Sequence, residues 1–264
     1  MTCAVYQQTP IEQRLAVAEA AARAAGAYLR QQFHAARCVN EELPHDIKLQ
    51  LDKDTQQLIE QHLLTAFPQD SVLGEEGCSG LSGAEYEWVV DPLDGTVNYY
   101  YGIPLFCVSI ALRKGEAVLL GCVYDPMQDE CFTAMAGKPA CLNGEQIKVS
   151  ARSRMAEAVV FVGHGTHDGS GAKGVRRFAH ISSQVRKVRI LGSAALSICY
   201  IAAARMDAYI ENRINVWDFA AARVILESAG GCLEYTPSAA DSVSGAVVAW
   251  NGALPIHSAL QMPD

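Results

Sequence analysis

The stretch Trp88-Val89-Val90-Asp91-Pro92-Leu93-Asp94-Gly95-Thr96-Val97-Asn98 constrains the rest of this chain. It opens as an apolar run that reads as a buried strand, then breaks into two carboxylates, a proline and a glycine. In α/β proteins, ligands sit beyond the carboxyl ends of such strands. Asp91 and Asp94 stand three apart across a turn, so both carboxylates can reach one point just off the strand end. Leu93 can offer a backbone carbonyl there, a good ligand for a hard cation. Gly95 permits close backbone approach and Thr96 adds a hydroxyl beside an exposed amide. The stretch reads as a metal-and-phosphate site.

A chain of 264 residues, half of them hydrophobic, can build a sizeable core as one large domain or two packed subdomains. The expected division is 1–150, carrying most of the acidic site, and 151–264, the two forming one unit. Net charge is −8 and no basic stripe is present, which argues against a nucleic-acid polymer as partner. A small phosphate ester is compatible, because a carboxylate cluster loaded with divalent metal reverses its local sign. No run is long and apolar enough for a membrane span, and Met1 to Pro10 do not read as a signal peptide. Nine cysteines, odd in number and without a Cys-x-x-Cys pair, argue against a disulfide framework or a zinc site. The expected setting is reducing and cytoplasmic.

Ile11, Leu15, Ala18, Ala22, Ala25, Leu29 and Phe33 recur at helical spacing and predict an amphipathic helix of about six turns. Ile47, Leu49 and Leu51 alternate as a strand, and a second helix with Leu58, Ile59, His62, Leu63 and Phe67 on one face follows, with Asp54 and Gln57 as a capping box. Asp52 stands at that junction and by itself reads as a helix cap. Ser71 to Gly74 is a short strand ending in Glu75-Glu76-Gly77. Extended backbone points neighbouring side chains apart, so one of the two glutamates is expected at the site. Phe106–Leu112, Ala117–Tyr124 and Cys131–Ala134 predict an antiparallel meander, and Asn143-Gly144 predicts a tight turn. From Val159 onward strands and helices alternate: Lys187–Leu191, Ser193–Ala204, Ala208–Glu211, Trp217–Ala229 and Ala246–Trp250. His164-Gly165-Thr166-His167-Asp168-Gly169 is read as a solvated loop. Asp218 opens an apolar helix, where a carboxylate gains ~0.3–1 kcal/mol from the helix N-terminus, or serves as a ligand.

Should Glu75, Asp91, Asp94 and Asp218 converge, their repulsion in a partly buried cleft would demand cations, and Mg²⁺ suits an all-oxygen set. Gly74-Glu75-Glu76, Asp91-Pro92-Leu93-Asp94-Gly95-Thr96, Gly192-Ser193-Ala194-Ala195-Leu196, Glu211 and Trp217-Asp218 resemble the motifs of the inositol monophosphatase family. That superfamily of Mg²⁺-dependent, lithium-sensitive phosphatases includes fructose-1,6-bisphosphatase. The resemblance covers nearly the whole chain and implies a layered αβαβα sandwich of the sugar-phosphatase type, an α+β or α/β fold, in chains that are commonly homodimers. It implies that Glu75, Asp91, the Leu93 carbonyl, Asp94 and Asp218 bind two or three Mg²⁺ ions. Thr96 and Glu75, backed by Asp52, would orient and deprotonate the attacking water. The amides of Gly95 and Thr96 would hold the phosphate, and Asp94, Ser193, Ala194 and Glu211 would meet the substrate. The implied reaction is hydrolysis of a small polyol phosphate, inositol monophosphate first, by in-line attack of metal-activated water. The same chemistry on fructose 1,6-bisphosphate, a 3′,5′-bisphosphate nucleotide or histidinol phosphate is the alternative, and a non-catalytic metal- or phosphate-binding module a more distant one. The haloacid dehalogenase phosphatases carry Asp-x-Asp-x-Thr, which the spacing here does not match. Arg205 and Arg213 depart from the family pattern, and both are expected on the substrate side, where an arginine could select a second anionic group.

Overall fold

A computed structural model of the chain describes residues 11–34, 39–43, 46–163, 171–239 and 243–261. Helix α1 (Ile11–Gln32) presents Ala18, Ala21, Ala22, Ala25 and Leu29 as its buried face, and small side chains there allow close approach to a sheet. Strands β1 (Val39–Leu43) and β2 (Asp46–Leu49) pair antiparallel before helix α2 (Gln50–Ala66). Strands β3 (Ser71–Gly74), β4 (Gly77–Gly80) and β5 (Glu87–Asp94) follow, and the short helix α3 (Thr96–Tyr100) leaves the end of β5. The predicted meander is β6 (Cys107–Lys114), β7 (Ala117–Asp125) and β8 (Glu130–Met135), extended by β9 (Cys141–Leu142) and β10 (Glu145–Gln146). Asn143 and Gly144, both at positive φ, make the tight turn between β9 and β10.

The second half runs β11 (Val159–Val162), α4 (Gly171–Ser182), β12 (Lys187–Arg189), α5 (Ala194–Ala202), β13 (Ala208–Asn215), α6 (Val216–Ser228), β14 (Cys232–Pro237), β15 (Ser244–Trp250) and α7 (Ile256–Leu260). Eight strands form one sheet in the order β10-β9-β8-β7-β6-β5-β3-β4, and five form another in the order β12-β11-β13-β15-β14. Helices α1 and α2 cover the outer face of the first sheet, through a core of Leu29, Ile59, Leu63, Trp88, Phe106 and Ile110. Helices α5 and α6 lie between the sheets, where Val89, Phe132, Ile198, Ala221, Ile225 and Val247 share one core. Ile181, Ile256 and Val160 pack α4 and α7 onto the far face of the second sheet. The result is the expected five-layer αβαβα arrangement.

Two expectations are corrected at element ends. Helix α2 begins at Gln50, not near Asp54, and it is Asp52 whose Oδ2 accepts the Leu49 N–H at 2.8 Å. Asp54 instead accepts from Gln50 Nε2 at 2.8 Å, one helical turn away. Strand β13 runs four residues past Glu211 because a bulge lets its pairing with β15 resume at Ile214. The loop from His164 to Gly169 lies outside the described residues.

The first layer is locked to β5 by buried charge. Asp70 pairs with Arg14 of α1 and accepts from Trp88 Nε1 at 2.9 Å, while the guanidinium lies over the Phe67 and Tyr86 rings. Arg14 is 6 % and Asp70 3 % exposed. Removing one member of such a pair strands the other in low dielectric. Asp70→Ala is therefore expected to lower unfolding stability by about 3–5 kcal/mol in denaturant titration. A loss under about 1 kcal/mol would mean that the pair does not hold α1 to the sheet.

Candidate active site

The Asp91-Pro92-Leu93-Asp94 motif works through its register. Asp91 pairs with Ser109 of β6 and Asp94 with Cys107, so three steps on β5 span two on β6. In a regular strand, residues three apart point to opposite faces. The one-residue bulge at Pro92-Leu93 restores the parity and turns both carboxylates into the same cleft. Pro92 suits the bulge because it has no N–H to contribute to the ladder. Gly95 follows at φ 98°, and a Cβ there would come 2.9 Å from the Leu105 carbonyl oxygen, which is why a glycine starts α3.

The cleft holds about 740 Å³ and is lined from both halves of the chain. Carboxylate oxygens of Glu75, Asp91 and Asp218 lie within 4.8 Å of one another in it. Glu75 arrives from the turn after β3, with its N–H donating to Val90 O, while Glu76 does not line the cleft. Asp218 comes from the first turn of α6, where its Oδ2 also accepts the Asn215 N–H at 2.9 Å. Burial, then Glu75, Asp94 and Asp218, hold the Asp91 carboxyl well above the usual carboxylate range. An all-carboxylate set packed this closely matches the donor preference of a hard divalent cation.

Asp94 lines the same cleft with its carboxylate turned to another task. Its Oδ2 accepts from Ser193 Oγ at 2.6 Å and Ala195 N at 2.7 Å, and its Oδ1 from Ala194 N at 3.1 Å. It thus caps helix α5 from about a hundred residues away. Burial raises its carboxyl, and these donors oppose the rise. Thr96 Oγ1 donates to Leu93 O at 3.0 Å, leaving its oxygen lone pairs toward the cleft it lines. Leu93 N–H in turn donates to Asp91 Oδ1 at 3.0 Å, so the motif is cross-braced. Asp52, 4 % exposed, is not among the described residues that line the cleft. Gly95, Ser193, Ala194, Glu211 and Arg213 all are.

Arg205 is a correction. Its two Nη atoms bind the Glu130 carboxylate at 2.5 Å each and the group stacks on Tyr200, away from the cleft. Sequence reasoning also passed over two groups. Tyr209, two residues before Glu211 and so on the same strand face, lines the cleft. Burial, followed by Glu211, Asp94 and Asp218, pushes its phenol up and keeps it a donor. The buried Cys107 thiol donates toward Asp94 Oδ2 at 3.6 Å, with burial and the neighbouring aspartates holding it protonated. Its apolar strand neighbours hid that role.

Residues 11–254 match the model of the inositol monophosphatase family. The chain belongs to that family. It is accordingly a phosphoric monoester hydrolase. Inositol monophosphatase 1 of Solanum lycopersicum is 37% identical over 242 residues, covering 88% of this chain and 87% of that protein. The inositol-1-monophosphatase of Rhizobium meliloti is 38% identical over 193 residues, 71% of each chain. Among solved structures, the extragenic suppressor protein suhB of Bartonella henselae superposes with TM-score 0.87 at 29% identity, covering 97% of this chain and all of that one.

Three close carboxylates repel one another without a cation, which yields a test independent of turnover. Asp91→Asn is expected to raise the melting temperature of the metal-free protein, because it removes a buried charge and keeps an acceptor for Leu93 N–H. The wild type is expected to gain about 2–3 kcal/mol from Mg²⁺ at a hundred times its dissociation constant, and the variant to gain little. Equal Mg²⁺ responses in scanning calorimetry would show that Asp91 is not a ligand.

Proposed function

We propose that this chain hydrolyses a small polyol monophosphate, inositol monophosphate first, in a Mg²⁺-dependent reaction. The observation that carries the reading is the convergence of Glu75, Asp91 and Asp218 within 4.8 Å in a cleft that the Thr96 hydroxyl also lines. Glu75, Asp91, the Leu93 carbonyl, Asp94 and Asp218 would hold two or three Mg²⁺ ions. When bound, such cations lower the pKa of water and offset charge on phosphoryl oxygens.

The protein's own groups fill the remaining roles. Thr96 spends its proton on Leu93 O, so its oxygen accepts from the attacking water and orients a lone pair toward phosphorus. Glu75 takes the proton of that water as the bond to phosphorus forms, with Asp52 behind as a helix-capping carboxylate. The amides of Gly95 and Thr96 receive the phosphoryl oxygens, and the ester bond opposite the incoming water breaks, the leaving oxygen taking up a proton from solvent so that the alcohol departs. Asp94, Ser193, Ala194 and Glu211 face the polyol, where carboxylates accept from hydroxyls. A homodimer and lithium sensitivity accompany this reading from the family resemblance alone, and a cytoplasmic setting from the cysteine pattern.

One observation favours a second substrate set for the same chemistry. Arg213 is exposed and is the sole cation among the described residues lining the cleft. A guanidinium there suits a second anionic group, as on fructose 1,6-bisphosphate or a 3′,5′-bisphosphate nucleotide. A turnover panel over these compounds, histidinol phosphate and inositol 1-phosphate decides between them. Phosphate release is expected to require Mg²⁺, and Asp218→Asn to cut kcat/KM on the order of 10³-fold on every active substrate. Near-normal turnover by that variant would remove Asp218 from the chemistry, and binding without turnover across the panel would favour a non-catalytic module.

A further inference from the structure

Glu211 sits at a second bulge. It pairs with Val247 of β15, and Ile214 pairs with Gly245, so three steps on β13 again span two on the partner. Bulges leave an amide outside the ladder. The Asn212 N–H donates to Glu211 Oε1 at 2.8 Å and fixes one oxygen of the carboxylate.

The other oxygen meets Gly163, the residue that follows β11. Gly163 N–H donates to Ile210 O at 2.8 Å, which continues the parallel pairing of β11 with β13 and fixes the spacing between them. A Cβ on Gly163 would fall 1.5 Å from Glu211 Oε2, 2.5 Å from its Cδ and 3.1 Å from the Tyr209 hydroxyl. The φ of Gly163 is not among the positive values, so its backbone conformation is open to alanine. What excludes a side chain is the carboxylate, the far end of a flexible chain. A methyl group would therefore displace the Glu211 carboxylate rather than the strand.

We propose that Gly163 is a positioning residue for substrate recognition, its missing side chain providing the space that aims Glu211 into the cleft. The proposal rests on the reading of Glu211 as a contact for substrate hydroxyls. A carboxylate held by the bulge amide on one oxygen and seated over bare backbone with the other is a pre-oriented acceptor. It loses little side-chain freedom on binding and favours leaving groups that carry hydroxyl donors.

The test compares Gly163→Ala, Glu211→Ala and the double variant on inositol 1-phosphate and on p-nitrophenyl phosphate, which lacks a polyol. Glu211→Ala is expected to lower kcat/KM for inositol 1-phosphate about 10- to 100-fold, the scale of a lost hydrogen bond to a charged group. Gly163→Ala is expected to lower it about 10-fold, chiefly through KM, with aryl phosphate turnover and melting temperature unchanged. The double variant is expected to match Glu211→Ala alone, because the glycine acts only through that carboxylate. Additive losses, an equal loss on the aryl phosphate, or a wild-type KM in Gly163→Ala would overturn the positioning role. Absence of any loss in Glu211→Ala would instead remove the substrate contact on which the proposal rests, and the proposal with it.

Discussion

The bulge at Pro92-Leu93 is the constraint on which the site depends. Without it, Asp91 and Asp94 would face opposite sides of β5, one toward the cleft and one into the sheet face packed with Trp88, Val90 and Ile59. With it, Asp91 joins Glu75 and Asp218 while Asp94 reaches the first amides of α5. Asn98 adds to the joint by donating from Nδ2 to Leu105 O at 2.8 Å and Leu191 O at 2.6 Å. The end of one strand thereby anchors the start of a helix in the other half of the chain. The cleft forms where the two are tied.

Folding and function make opposite demands on these carboxylates. Asp52 and Asp218 each accept the N–H three residues earlier at a helix start, a contact that favours folding. Asp94 offsets the cost of its burial with four donors, Ser193, Ala194, Ala195 and Cys107. Asp91 has the Leu93 amide and three like-charged neighbours, so it is the group that gains most from a cation. The helix-cap and ligand readings of Asp218 are thus not rivals: one oxygen caps α6 while the carboxylate faces Glu75 and Asp91.

Much of this was legible in the residues. Alanine periodicity marked α1, Asn143-Gly144 marked its turn, and the acidic ends of two strands and a helix marked the cleft. The family motifs then joined segments that local patterns could not join, since pairing between Asp94 and Ala195 leaves no periodic signal. Bulges were not legible for the same physical reason: register belongs to a pair of strands, and one strand's sequence does not reveal the parity of its partner. That hid the length of β13 and the role of Gly163. Arg205 misled because guanidinium chemistry suits a phosphate cleft and a surface ion pair equally, and only the fold brings Glu130 beside it.

The central claim is that Glu75, Asp91 and Asp218 hold a divalent cation between the two halves of the chain. Anomalous scattering from crystals equilibrated with Mn²⁺, a Mg²⁺ substitute with a strong signal, tests it most directly. A peak among the three carboxylates, lost in Asp218→Asn crystals, is the predicted result. Crystals that bind Mn²⁺ elsewhere or not at all, with the three carboxylates still clustered, would contradict it.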